Sequence, residues 1–232
     1  GKGGVLIRGY VKNVIKGKHI MLILKKIKAF ILKFWGKFFK KQLRCCMVGD
    51  SITWAYEGEY LRKKMIDLGC TYTFVGKYLD VCGYHHHGFG GATSKEVLEC
   101  AQKGEIVAAD VYTIWVGTND WGAEVRSAAM VVHNVLETCA CLLKSYPNAQ
   151  IYILLLLYRT GDLAKQTAAL AINQEWAWAY PFVGHKNIHL IDMPNLLPSG
   201  GKVWKKYLLE DGVHPNALGY NEIAYTLVQE LP

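Results

Sequence analysis

Two uninterrupted apolar runs, VYTIWV at residues 111–116 and IYILLLL at 151–157, constrain this chain more than any other feature. A strand with water on one face alternates apolar and polar side chains, whereas a run apolar at every position has protein on both faces. Shorter runs at residues 43–49, 72–78 and 188–191 supply further candidate strands. Helical periodicity falls between them, at 57–68, 94–103, 123–145 and 163–180, with a last helix at 216–231. Strands alternating with helices predict an α/β chain, here a three-layer α/β/α sandwich around a central parallel sheet of about five strands. No internal repeat or Pro-rich linker divides residues 43–232, which are expected to form one domain.

The charge is not spread evenly. The 232 residues carry a formal net charge of +8, but residues 1–44 hold 13 of the 27 basic residues and no acidic one, so the rest is mildly acidic at −5. A nucleic-acid binder stripes its positive charge over the folded domain, and this domain does not, so no nucleic acid is expected as partner. Residues 18–41 read KHIMLILKKIKAFILKFWGKFFKK, with lysines on one helical arc and Ile, Leu, Phe and Trp on the other. Lysines interrupt each apolar stretch well before the roughly 20 residues that cross a bilayer. The segment 1–42 is therefore expected to carry a basic amphipathic helix. It lies on an anionic membrane surface, docks its apolar face on the domain or on another subunit, or is leader sequence.

Seven cysteines, with no zinc spacing among them, read as small, mostly buried thiols. An odd count without a disulfide framework leans towards a reducing compartment, so a cytoplasmic or membrane-associated protein is favoured, or a secreted one if a signal segment was removed.

In open α/β sheets the ligand crevice lies beyond the carboxyl ends of the strands. The first strand ends in Gly49-Asp50-Ser51-Ile52-Thr53, the third in Gly117-Thr118-Asn119-Asp120, and the loop before the last helix is Asp211-Gly212-Val213-His214-Pro215. A serine hydroxyl is a poor nucleophile unless a base takes its proton, and an imidazole does so best when a carboxylate fixes its tautomer. Ser51 sits at a strand-to-helix turn, and Asp211 and His214, three residues apart, can meet within one turn of chain. The oxyanion that develops needs fixed donors, for which the Ser51 N–H, the Gly91 N–H and the Asn119 side-chain amide are available. Asp50 and Asp120 read as turn and capping residues. The run His85-His86-His87 lacks further ligand spacing, so no metal and no cofactor is expected. His87, Tyr84, Trp54 and Trp121 are candidate substrate contacts. Trp176 and Trp178 read as structural, one packed and one near solvent, on a helix that stops before Pro181.

GDSIT, a Gly-Xaa-Gly-Gly-Ala-Thr loop about forty residues on, GTND and DGVHP resemble, in order and spacing, the SGNH (GDSL-type) hydrolases. The resemblance covers residues 43–232 and implies a flavodoxin-like fold. It makes Ser51 the nucleophile, His214 the base and Asp211 its orienting partner, with Ser51, Gly91 and Asn119 forming the oxyanion hole. TYTFVGKY, HHGFGGATS and YTIWVGTNDW resemble the carbohydrate-esterase branch that includes acetylxylan esterases. The loop departs from that branch at His87, where an acidic residue is usual, and at Gly90, where Ser is usual.

The resemblance implies a serine esterase acting on small acyl esters, O-acetyl groups on carbohydrate first among them. Alternatives from the same sequence are a lysophospholipase or thioesterase brought to its lipid by residues 18–41, transfer of the acyl group to a sugar, or a membrane-associated binding module without catalysis.

Overall fold

The computed structural model describes residues 42–55, 60–121, 127–196 and 204–232. The amphipathic helix expected at 18–41 lies outside them, as do residues 57–59 and 123–126 of two expected helices.

Among the described residues seven strands form one sheet: β1 (Arg44–Gly49), β2 (Thr73–Phe74), β3 (Tyr78–Leu79), β4 (His85–Gly88), β5 (Val111–Trp115), β6 (Gln150–Leu154) and β7 (Ile188–Ile191). Their order is β3-β4-β1-β5-β6-β7, with β2 also on β1. All pairings are parallel except β3 with β4. The expectation of a parallel sheet of about five strands is corrected to a mixed sheet of seven. The stretch 72–78 divides into β2 and the start of β3, because the chain turns at Gly76, where a Cβ would lie 2.2 Å from the His86 carbonyl. The three histidines, expected in a loop, are strand β4. Its pairing with Val48 and Gly49 of β1 supplies the backbone partners that its side chains gave no reason to expect.

The apolar runs behave as their composition requires. Residues 111, 112, 114 and 115 of β5 and 151, 153 and 154 of β6 are buried in the core. Each such Ile or Leu side chain contributes about 1.5–3 kcal/mol relative to exposure.

Among the described residues seven α-helices accompany the sheet: α1 (Ser51–Trp54), α2 (Leu61–Asp67), α3 (Ser94–Gln102), α4 (Ala128–Ser145), α5 (Leu163–Val183), α6 (Met193–Leu196) and α7 (Ala217–Glu230). α3 packs on α4 and α4 on α5, while α2 packs on α7. Helices thus flank the sheet in an arrangement consistent with an α/β/α sandwich. Side-chain caps start them where the sequence offers Asp, Thr, Ser or Asn. Thr93 and Glu96 form a reciprocal capping box on α3. Helix α5 continues past Pro181 to Val183, against the expected stop. In the last turn a proline removes only one backbone bond, and the helix ends instead at Gly184, in the left-handed conformation at φ 59°. On that helix Trp176 is buried and Trp178 is 69% exposed. All seven cysteines are free thiols, three of them fully buried, whereas Cys82 is exposed.

Candidate active site

Between β1 and β5 the chain reverses direction across the sheet, since β2 and β4 lie on one side of β1, and β5, β6 and β7 on the other. The loops leaving the carboxyl ends of β1 and β5 diverge there, which in open α/β sheets is where a ligand binds.

Ser51 follows β1 directly. Gly49, the last residue of the strand, has space for no side chain, because a Cβ would lie 2.1 Å from the Trp115 carbonyl of β5. The chain therefore turns against β5, and Asp50 caps α1 by accepting from the Ile52 N–H at 2.9 Å. Burial raises the Asp50 carboxyl to about 6, although hydrogen bonds from Ile52 and Thr118 and the charges of His214 and Arg159 pull it back. Arg62 closes the other end of α1, donating to the carbonyls of Thr53 at 2.8 Å and Trp54 at 2.9 Å. Tyr220 of α7 donates to the Ile52 carbonyl at 3.0 Å. Four residues of helix are in this way held from both ends and from the side.

The loop before α7 is shaped by its glycine and by backbone bonds. Gly212 adopts φ 68°, and a Cβ there would lie 2.2 Å from the Thr160 carbonyl, while Thr160 donates to the Gly212 carbonyl at 2.8 Å. Asp211 Oδ1 accepts from the N–H groups of Val213 at 2.8 Å and His214 at 3.0 Å. Asp211 Oδ2 lies 2.6 Å from His214 Nδ1, and His214 Nε2 lies 2.8 Å from Ser51 Oγ. The structure brings these three side chains into one hydrogen-bonded series. Burial pushes the Asp211 carboxyl up, but the bonds from His214 and Val213 outweigh it and hold the group below its ordinary value. An ionised Asp211 accepts only, so Nδ1 carries the proton and Nε2 is left to accept from Ser51. Such a series can draw a proton from the hydroxyl as its oxygen attacks a carbonyl.

The expected oxyanion donors also come from this rim. The N–H groups of Ser51 and Gly91 make no hydrogen bond to the described residues, and Gly91 holds its loop at φ 75°. Asn119 Nδ2 donates to the Ala92 carbonyl at 3.0 Å, which fastens the loop after β5 to the Gly91 loop. Asp120 secures the same junction from below. Its carboxylate accepts from Ser94 N–H at 2.9 Å and from Ser94 Oγ at 2.6 Å, and Asn134 donates to that Oγ at 3.0 Å.

The candidate substrate contacts divide. Trp54, 40% exposed, borders a cleft with Phe89 and Gly90. Trp121 is exposed as well, but the Lys165 ammonium sits 4.2 Å from its ring centre and occupies a face. Tyr84 stands before β4, at the end away from Gly88, and packs edge-on against Phe74 at 5.9 Å. His87 is buried, its ring centre 5.8 Å from that of Tyr78 and 6.5 Å from that of Phe89. The histidine that borders the cleft is His86. Arg159 was not anticipated. It lies just beyond β6 at the same edge, donates to the Thr118 carbonyl at 2.9 Å and exerts its charge on Asp50. Its place after a strand is the signal that could have found it. Among the described residues no group of three His, Cys, Asp or Glu side chains is placed to hold a metal ion.

Residues 47–221 match the GDSL-like Lipase/Acylhydrolase family. The chain belongs to that family. It is accordingly an ester hydrolase of the serine-based type. No curated protein matches the sequence. Among solved structures, a carbohydrate esterase family 3 protein from Talaromyces cellulolyticus superposes with a TM-score of 0.62 at 18% identity, over 82% of this chain and 96% of the other. An acetyl esterase mutant with an acetate ion gives 0.64 at 18%, over 82% and 96%. A Clostridium thermocellum family 3 carbohydrate esterase gives 0.62 at 17%, over 82% and 94%. At these identities the likeness is one of fold.

Proposed function

We propose that the protein hydrolyses small acyl esters, O-acetyl groups on carbohydrate foremost, through an acyl-enzyme on Ser51. The observation that carries this reading is the unbroken series from Ser51 Oγ through His214 to Asp211, at 2.8 Å and 2.6 Å. Ser51 Oγ bonds to the ester carbonyl carbon as His214 Nε2 takes its proton. Asp211 stabilises the imidazolium, and the N–H groups of Ser51 and Gly91 with the Asn119 amide receive the oxyanion. Collapse breaks the ester C–O bond, and His214 returns its proton to the departing alcohol. Water then attacks the acyl carbon, gives its proton to His214 and releases the acid, which restores Ser51. The preference for acetyl on sugar is supported by the fold shared with an acetyl esterase and two family 3 carbohydrate esterases.

Hydrolysis of p-nitrophenyl acetate by the wild type and by Ser51→Ala tests the reaction, and equal rates would dismiss it. Acetylated xylan compared with long-chain esters tests the substrate class, and faster turnover of the long chains would favour a lipid hydrolase.

A further inference from the structure

A cleft of about 280 Å³ lies between the end of α1 and the β3–β4 hairpin, bordered by Trp54, Tyr78, Leu79, His86, Phe89 and Gly90. Trp54 belongs to the helix that begins at Ser51, and Gly90 precedes Gly91, so the cleft adjoins both segments assigned to the reaction. Its walls are aromatic, with the Tyr78 ring centre 6.0 Å from that of His86 and 6.3 Å from that of Phe89. Among the described residues none that borders it is charged. The nearby Arg62 guanidinium is committed to Asp80 at 2.7 Å and to the Thr53 and Trp54 carbonyls.

His86 gives this apolar cleft one polar group of defined character. The Gly88 N–H donates to His86 Nδ1 at 3.0 Å, so Nδ1 carries the lone pair. Burial, aided by the Arg62 charge, lowers the imidazole to about 4, and the ring is neutral near pH 7. The remaining proton is therefore on Nε2. That N–H is buried and has no acceptor among the described residues. Leaving a buried donor unpaired is costly, and a ligand oxygen that accepts from it removes that cost.

We propose that this cleft receives a neutral pyranose ring from the alcohol side of the ester, its C–H face on the aromatic side chains and one of its oxygens accepting from His86 Nε2. The proposal rests on the acetyl-carbohydrate reading of Ser51 and deepens it. An acyl chain would cover the same walls but leave the donor unpaired, and an anionic ligand would meet no cationic side chain among the described residues of the cleft. Sites built to hydrogen-bond a hydroxyl reject analogues that lack it far more strongly than apolar pockets reject extra bulk.

The test compares kcat/KM for an O-acetylated methyl xylopyranoside with that for p-nitrophenyl acetate in the wild type, His86→Leu and His86→Gln. The sugar-to-nitrophenyl ratio is expected to fall about tenfold in His86→Leu and to recover in part in His86→Gln, which restores an N–H donor. An unchanged ratio in His86→Leu overturns the proposal. Titration of unacetylated methyl xylopyranoside onto the wild type, followed through the His86 ring nitrogen resonances, reads the subsite without a variant. A saturable shift of Nε2 supports it, and no shift overturns it. If Ser51→Ala hydrolyses p-nitrophenyl acetate as fast as the wild type, the reaction assignment fails, a result separate from either sugar measurement.

Discussion

The Ser51 hydroxyl lies 2.8 Å from Nε2 of His214 across 163 positions of sequence. Neither residue is placed by its own element alone. Tyr220 ties α7 to α1 through the Ile52 carbonyl, and Thr160 binds the exit of β6 to Gly212 in the histidine loop. The distance between nucleophile and base is thus set by the sheet and by two further ties.

Asp211→Asn tests the orienting carboxylate. The carboxyl, held below its ordinary value in the folded protein, is ionised throughout the neutral range. An amide cannot replace the charge, and it can present the wrong group to Nδ1. The expected result is a fall in kcat of about 10²–10⁴-fold with KM little changed. Steady-state kinetics read both parameters, and a loss confined to KM would count against the assignment.

Asn119→Ala removes one oxyanion donor together with the bond to the Ala92 carbonyl. A fall in kcat of about 10²–10³-fold is expected. Asn119→Asp keeps the size and removes the donor, so its rate should fall comparably. A rate near wild type for Asp would mean that the amide does not serve the oxyanion.

Gly212→Ala places a Cβ 2.2 Å from the Thr160 carbonyl and asks alanine to hold φ 68°. The left-handed conformation alone costs alanine about 1–2 kcal/mol. Both a lower Tm and a loss of kcat larger than that of KM are expected, because the displaced loop carries Asp211 and His214. A variant with normal kinetics would show that Gly212 does not set the loop.

Asp50→Asn probes a buried carboxyl that burial raises from 3.8 to about 6. The folded protein then binds this proton more tightly than the unfolded chain does. Wild-type stability should accordingly gain up to about 3 kcal/mol from this group as pH falls from above 6 towards 4. Asparagine can still accept from the Ile52 N–H and does not titrate. Its stability relative to wild type should therefore be greatest at pH 8 and shrink by pH 5. Urea unfolding at the two pH values measures the difference, and a constant difference would contradict the assigned shift.

What the sequence disclosed follows from where its signals are local. β1, β5 and β6 are largely apolar runs buried along most of their length, and β7, with His189 inside it, is marked by the buried Ile188 and Ile191. Asp211 and His214 share one turn, and Ser51 directly follows a strand, so their chemistry was readable from spacing. β4 was not, because three consecutive imidazoles carry no apolar signal and its pairing partner lies some forty residues upstream. A loop reading of this segment could not assign which of His86 and His87 borders the cleft. α1 has four residues, too few for helical periodicity to register. Arg159 is not legible as a site residue, because the loop after β6 carries none of the motifs that mark the other loops.

Acid-quenched peptide mass spectrometry during turnover of p-nitrophenyl acetate is the most direct measurement of the central claim. The peptide containing Ser51 should carry one acetyl group in the wild type, and Ser51→Ala should show neither that adduct nor more than residual turnover. Acetylation at another residue with Ser51 unmodified, or full turnover by Ser51→Ala, would contradict the account.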